Sequence, residues 1–130
     1  MKKNVAVIGA GMTIFRRMLK ETGKELSFLA AKMAMEDAGI QKDDIDMVVM
    51  GSAPDAFDGI HMKGENLLDG AAAAGKPYVR VFNGGGTGVF APIAGWWHVA
   101  SGVADICLVV AEEKMGNCLP HPQTASRLFA

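Results

Sequence analysis

The chain has 130 residues, with 13 Lys and Arg against 14 Asp and Glu and a formal net charge of −1. That length allows one domain at most, and because half the residues are hydrophobic a real core can form and intrinsic disorder is excluded. A near-neutral balance lacks the basic excess that a nucleic-acid or anionic-membrane surface requires.

At the N-terminus, Met1-Lys2-Lys3-Asn4 leads directly into an apolar run with no small-residue cleavage site, which reads as no signal peptide and a cytoplasmic protein. Val5-Ala6-Val7-Ile8 is continuous rather than alternating in hydrophobicity and stops at Gly9-Ala10-Gly11, so a strand over residues 4–9, buried on both faces and central in a sheet, is expected. Between Glu25 and Ala38, the residues Leu26, Leu29, Ala30, Met33 and Ala34 fall at helical spacing with Lys32, Glu36 and Asp37 opposite, and Gly39 is the expected C-cap. A second buried strand covers residues 46–51. A short alanine-rich helix over residues 63–74 and a third strand over residues 78–82 follow. Residues 87–101 are long enough for a helix yet almost uncharged, which predicts enclosure by protein on nearly every side. Residues 104–110 form a fourth strand rich in Ile, Leu and Val. No run reaches the roughly 18 to 20 apolar residues that cross a bilayer, since residues 84–99 are interrupted by glycines, Pro92 and His98. Residues 123–130 read as the opening of a further helix without a stop signal, so the chain is expected to be incomplete at its C-terminus. Strands alternating with helices give the class α/β, with a mainly parallel sheet.

Several short motifs carry competing readings. Gly9-Ala10-Gly11 holds two of the three glycines of a dinucleotide fingerprint, but Ile14 occupies the third position and no acidic residue follows at the required offset, so a strand-ending turn is preferred. Asn83-Gly84-Gly85-Gly86-Thr87-Gly88 places four glycines between a strand and an apolar helix. It reads either as a tight turn of permissive residues or as an elbow that exposes its tip and aims backbone N–H groups from a helix N-terminus. No lysine follows to make it a phosphate loop. Cys118 with His121 is a second candidate pair for nucleophilic chemistry, in a proline-flanked loop. Cys107 reads as a core residue and His98 as a hydrogen-bonded core histidine. Asp55, Asp58 and His61 are too weak a pattern to assign a metal, and none is expected. Trp96 and Trp97 are expected to pack, each with a partner for its indole N–H.

The order of these elements resembles the N-terminal half-domain of the thiolase superfamily, particularly the sterol-carrier-protein-X and lipid-transfer-protein branch. The stretches that carry the resemblance are Val7-Ile8-Gly9-Ala10-Gly11-Met12-Thr13-Ile14-Phe15, Glu36-Asp37-Ala38-Gly39-Ile40, Asp44-Ile45-Asp46, Ala100-Ser101-Gly102-Val103-Ala104-Asp105 and Val109-Val110-Ala111-Glu112-Glu113-Lys114-Met115. It implies that residues 1–130 are one thiolase-like half-domain with a buried apolar helix. It also implies that the parent is an acetyl-CoA C-acyltransferase-like enzyme acting on a carbon–carbon bond next to a CoA thioester. In such enzymes the elbow carries a cysteine that becomes acylated, and the matching position here is Gly85, which cannot be. Gly84, Gly86, Thr87 and Gly88 would then supply backbone on the side of the thioester oxygen. The Gly-Gly-Gly elbow is also similar to that of the lipid-transfer-protein aldolases, which cleave a β-hydroxyacyl-CoA without a cysteinyl intermediate and work with an OB-fold and zinc-ribbon partner. The resemblance further implies a homodimer, an acyl-CoA substrate and no tightly bound cofactor. The catalytic base would come from the absent half, so independent catalysis by this chain is not expected. A non-catalytic partner or remnant of the same fold is the rival reading.

Overall fold

The computed structural model describes residues 4–16, 19–52, 54–55 and 62–114. Helix α1 spans Gly23–Ala38. Thr22 opens it with a capping box, its hydroxyl accepting the Glu25 N–H at 3.2 Å while the Glu25 carboxylate accepts the Thr22 N–H at 2.7 Å, so two of the orphan donors of the first turn are satisfied. Gly39, at φ 66°, closes the other end, as expected.

A 3₁₀ turn over Lys42–Asp44 feeds strand β1, Met47–Ser52, in which every residue is buried. Helix α2 is Lys63–Leu67, strand β2 Tyr78–Val81, helix α3 Thr87–Ala100 and strand β3 Cys107–Glu112. The sheet order is β2-β1-β3 and both pairings are parallel. The expected α/β class with a parallel sheet therefore holds. Asp46 fixes the β1–β3 register at its start, its carboxylate accepting the Asp105 and Ile106 N–H groups at 2.9 and 2.8 Å. Strand alternation divides the core in two. Val48, Met50, Leu108 and Val110 pack with Ala31, Leu67 and Ala71 on the α1/α2 side. Met47 and Val49 pack with Ala91 and Ala94 on the α3 side.

Several expectations are corrected. Residues 4–9 form no strand, and Val7 is 91% exposed. Both edges of β1 are already occupied by β2 and β3, so the place of central strand is taken. Gly9 and Gly11 cross α1 instead, where an added Cβ would stand 2.5 Å from the Ala34 carbonyl oxygen and 2.4 Å from that of Ala30; the motif is a chain–helix crossing rather than a strand-ending turn. On α1 the buried residues include Leu26, Ser27 and Ala31, of which Ala31 joins the core against the sheet, while Leu29 and Met33 are exposed and, with Leu26, line a cleft together with Met12, Ile14, Leu19 and Glu21. The alanine-rich helix stops at Leu67 because Ala71, Ala72 and Ala73 are all buried. Three consecutive residues cannot share one helix face, so the chain turns there, with Ala72 at φ 56°. Helix α3, finally, is covered on one side only: Ala91, Ala94 and Gly95 meet the sheet, while Val89, Phe90, Trp96 and Trp97 are exposed, Trp97 at 59%. The expected packing of the two tryptophans is thus incomplete within the described residues. Among these residues no helix is long and apolar enough to cross a membrane.

At Gly95 an added Cβ would lie 2.6 Å from Val109 Cγ2, whereas at Gly88 it would meet nothing within 4 Å. Gly95→Val is expected to lower the unfolding free energy by about 1–3 kcal/mol through overpacking, and Gly88→Ala to leave it unchanged or raise it by up to about 1 kcal/mol. Urea denaturation of both variants checks the pair.

Candidate active site

Strand β2 ends at Val81 and α3 begins at Thr87, so residues 82–86 must reverse the chain over β1. The turn closes on itself: the Asn83 carbonyl accepts the Gly86 N–H at 2.9 Å and the Gly84 carbonyl the Thr87 N–H at 3.3 Å. Thr87 then clamps both sides, its Oγ1 accepting the Asn83 N–H at 2.9 Å and donating to the Gly84 carbonyl at 2.8 Å. The base of this clamp rests on β1, since a Cβ at Gly51 would stand 3.3 Å from Thr87 Cγ2. The strand-to-helix elbow expected from the glycine run is therefore formed.

Its glycines do not all answer a backbone demand. Gly84 has φ 47°, a left-handed conformation that costs other residues roughly 1–2 kcal/mol. At Gly85 and Gly88, both exposed, an added Cβ would meet nothing within 4 Å. Gly85 thus leaves open space at the tip, directly ahead of the positive end of α3. The expected presentation of backbone donors needs a correction at Gly86 and Thr87, whose N–H groups are engaged inside the turn.

The other candidates are not brought to this elbow. His98 lies half-buried in α3 with Nδ1 2.7 Å from the Ala94 carbonyl oxygen, a hydrogen-bonded core histidine as expected. Burial pushes the Cys107 thiol up, against a smaller opposing effect of the Val49 backbone hydrogen bond, which suits a core residue rather than a nucleophile. Cys118, His121 and the expected helix opening at 123–130 lie outside the described residues, as do Asp58 and His61.

A charged cluster that the sequence reading missed lies at the same end of the sheet, on its α1/α2 side. Lys63 Nζ is 2.7 Å from Glu112 Oε1, with the side chains 1% and 3% exposed. Arg80 donates from Nε to Ser52 Oγ at 2.7 Å and from its terminal nitrogen to Asp55 Oδ1 at 2.6 Å. The Met62 N–H donates to the other Asp55 oxygen at 2.9 Å. Burial disfavours the charge on Asp55, but the Arg80 hydrogen bond and charge, with the Met62 and Lys63 N–H groups, outweigh it and hold the carboxyl below its ordinary range. The available signal was a lone charge inside an apolar strand, Arg80 between Val79 and Val81.

The fold is shared with two solved structures. The structure superposes on 3-oxoacyl-[acyl-carrier-protein] synthase III from Aquifex aeolicus VF5 with a TM-score of 0.64 and 19% identity, covering 82% of this chain and 34% of that one. It superposes on the priming β-ketosynthase of the R1128 polyketide biosynthetic pathway with a TM-score of 0.66 and 23% identity, over 82% and 32%. Residues 5–128 match the thiolase N-terminal domain, and the chain belongs to that family. It is 30% identical over 129 residues to an acetyl-CoA acetyltransferase of Methanothermobacter thermautotrophicus, covering 95% of this chain and 33% of that protein. To an acetyl-CoA acetyltransferase of Methanocaldococcus jannaschii it is 32% identical over 114 residues, covering 87% and 29%. The chain thus spans about a third of the length of the relatives it matches.

Because the Asp55 carboxyl is held low in the folded chain, its contribution to stability is present above the ordinary aspartate value of about 3.9 and is lost as pH falls through the lower folded value. Urea unfolding of the unmodified chain is expected to weaken more between about pH 5 and about pH 2 than unfolding of Asp55→Asn, in which this carboxyl no longer titrates.

Proposed function

We propose that this chain is the N-terminal part of a thiolase-like acyl-CoA enzyme, of the acetyl-CoA C-acyltransferase kind, that makes or breaks a carbon–carbon bond beside a CoA thioester. The observation that carries the reading is the glycine elbow, with open space at Gly85 ahead of the N-terminal end of α3. Bond making or breaking next to a thioester passes through an enolate, and the negative charge on its oxygen is stabilised by fixed donors and by a helix N-terminus. Gly85 stands where the resemblance puts the acylated cysteine. Having no nucleophile, it rules out a covalent acyl-enzyme at that position, so in the cleavage direction the CoA thiol itself adds to the β-carbonyl, the Cα–Cβ bond electrons pass to Cα, and the resulting enolate is protonated, leaving the new thioester on the attacking CoA.

That same glycine favours a second reading, a retro-aldolase component of the lipid-transfer-protein type. There a base removes the β-hydroxyl proton, the Cα–Cβ bond electrons pass to Cα as the new carbonyl forms, and the resulting enolate is reprotonated. No cysteine takes part. The base, a homodimeric partner subunit and an OB-fold and zinc-ribbon protein belong to the same proposal. A non-catalytic assembly role for the fold is the outcome if no thioester chemistry is found in the complete polypeptide.

Mass spectrometry of the complete protein after exposure to acetyl-CoA is expected to find no acyl group on residues 82–88. A covalent adduct on Cys118 that turns over with free CoA would sink the Gly85 assignment and make Cys118 with His121 the active pair. Association is a separate expectation, since among the described residues the apolar side of α3 is exposed and β2 lies at an edge of the sheet, and both call for cover. Sedimentation at micromolar concentration should show a dimer or larger species, and a stable monomer that binds no apolar dye would count against it.

A further inference from the structure

We infer that Ser52, Asp55, Lys63, Arg80 and Glu112 form a positioning network that sets the geometry of the glycine elbow, rather than one that merely adds to the stability of the chain. The inference rests on the reading of that elbow as the reactive site. Each strand contributes one member at or near its C-terminal end: Ser52 from β1, Arg80 from β2 and Glu112 from β3, with Ser52 and Glu112 facing each other in register. Asp55 binds these strand ends from the β1–α2 connection and Lys63 from the first position of α2. Lys63 does so through its ion pair to Glu112, and Asp55 through Arg80. Met62 and Lys63 also give their N–H groups to Asp55, so the two ties are joined through the backbone.

From this network two short paths lead to the elbow. Arg80 lies three residues before Asn83, the first residue of the Thr87 clamp. Gly51 adjoins Ser52 and carries the base of the clamp against Thr87. A shift of Arg80 or Ser52 therefore moves both halves of the turn relative to each other. Stability alone gives no reason for the arrangement. A buried ion pair can usually be replaced by apolar residues of similar volume without loss, whereas the directional bonds of Arg80 to a hydroxyl and a carboxylate fix orientation in a way that apolar contacts do not.

The test places a reporter where the elbow is open. The thiol introduced by Gly85→Cys lies just ahead of α3, where a helix N-terminus lowers a thiol below its ordinary value of about 8.5. Its pH–rate profile with iodoacetamide is read by peptide mass mapping, which separates it from Cys107 and Cys118. In that background, Lys63→Met with Glu112→Leu, and separately Arg80→Lys, should raise the titration midpoint of the thiol and slow its alkylation at neutral pH by roughly threefold or more. The urea midpoint of the apolar double variant should not fall. Removing the exposed Lys24–Asp69 pair, 2.7 Å apart on the surface of the fold, should change neither. Unchanged profiles in both network variants would overturn the inference, and so would unfolding of the apolar double variant, because the pair would then be serving stability. Should the thiol in Gly85→Cys alone titrate at the ordinary value, the elbow reading falls and takes this inference with it.

Discussion

The closeness of α3 to the sheet governs where the elbow lies. The helix meets β1 and β3 through Gly51, Ala91, Ala94 and Gly95, and an added Cβ at Gly95 would already intrude on Val109. Dispersion attraction falls steeply with a small radial gap, so a seam of residues with little or no side chain is what lets a helix lie this near. The consequence reaches beyond packing. Residues 82–86 are a short bridge between β2 and a helix that must pass over β1, and Thr87 can hold Asn83 and Gly84 only if the first turn of α3 rests on Gly51. Larger residues in the seam would lift the helix and draw the hydroxyl out of the turn.

On its other face the sheet ends differently. Gly51 and Ser52 are neighbours in β1, yet alternation sends one toward α3 and the other toward Arg80. The α3 side is apolar up to the elbow, whereas the opposite side finishes in charges, with Lys63 and Glu112 almost wholly out of water. Desolvating such a pair costs several kcal/mol per ion before their attraction is counted. Lone charges there would be intolerable, and pairing makes them tolerable. The resulting contacts have fixed directions at the strand ends that flank the elbow.

Much of this fold was legible because its signals are local. Thr22, Glu25 and Gly39 mark the ends of α1, and the apolar runs in β1 and β3 announce buried strands. Val5-Ala6-Val7-Ile8 gives the same signal and forms no strand: the central place expected for it is held by β1, and the chain runs instead to Gly9 and Gly11, which pack on α1. Length and an almost uncharged composition likewise identified α3, but the enclosure they implied is met only on the side of Ala91, Ala94 and Gly95 among the described residues. The glycine elbow was visible as a motif, but which glycine the backbone requires was not, since only Gly84 takes a left-handed φ. Least visible was the charged cluster. Asp55 and Arg80 are 25 residues apart, and nothing in either local stretch names the other.

An elbow made of backbone has limited chemistry of its own. The Thr87 hydroxyl is fully engaged, accepting from Asn83 and donating to Gly84, and Gly85 carries no side chain. What remains is the positive end of α3 and an open space, enough to hold an anionic oxygen but not to move a proton. On the proposed chemistry, proton transfer would come from groups that face Gly85 from outside the turn. The exposed start of α3 bears on how such groups would arrive, since Gly88, Val89 and Phe90 directly follow the elbow and form one edge of an apolar surface that the described residues leave uncovered. Burial of that surface is favourable in proportion to its area. A polypeptide that covers it is brought up to Gly85 by the hydrophobic effect alone, with no separate affinity for the elbow required.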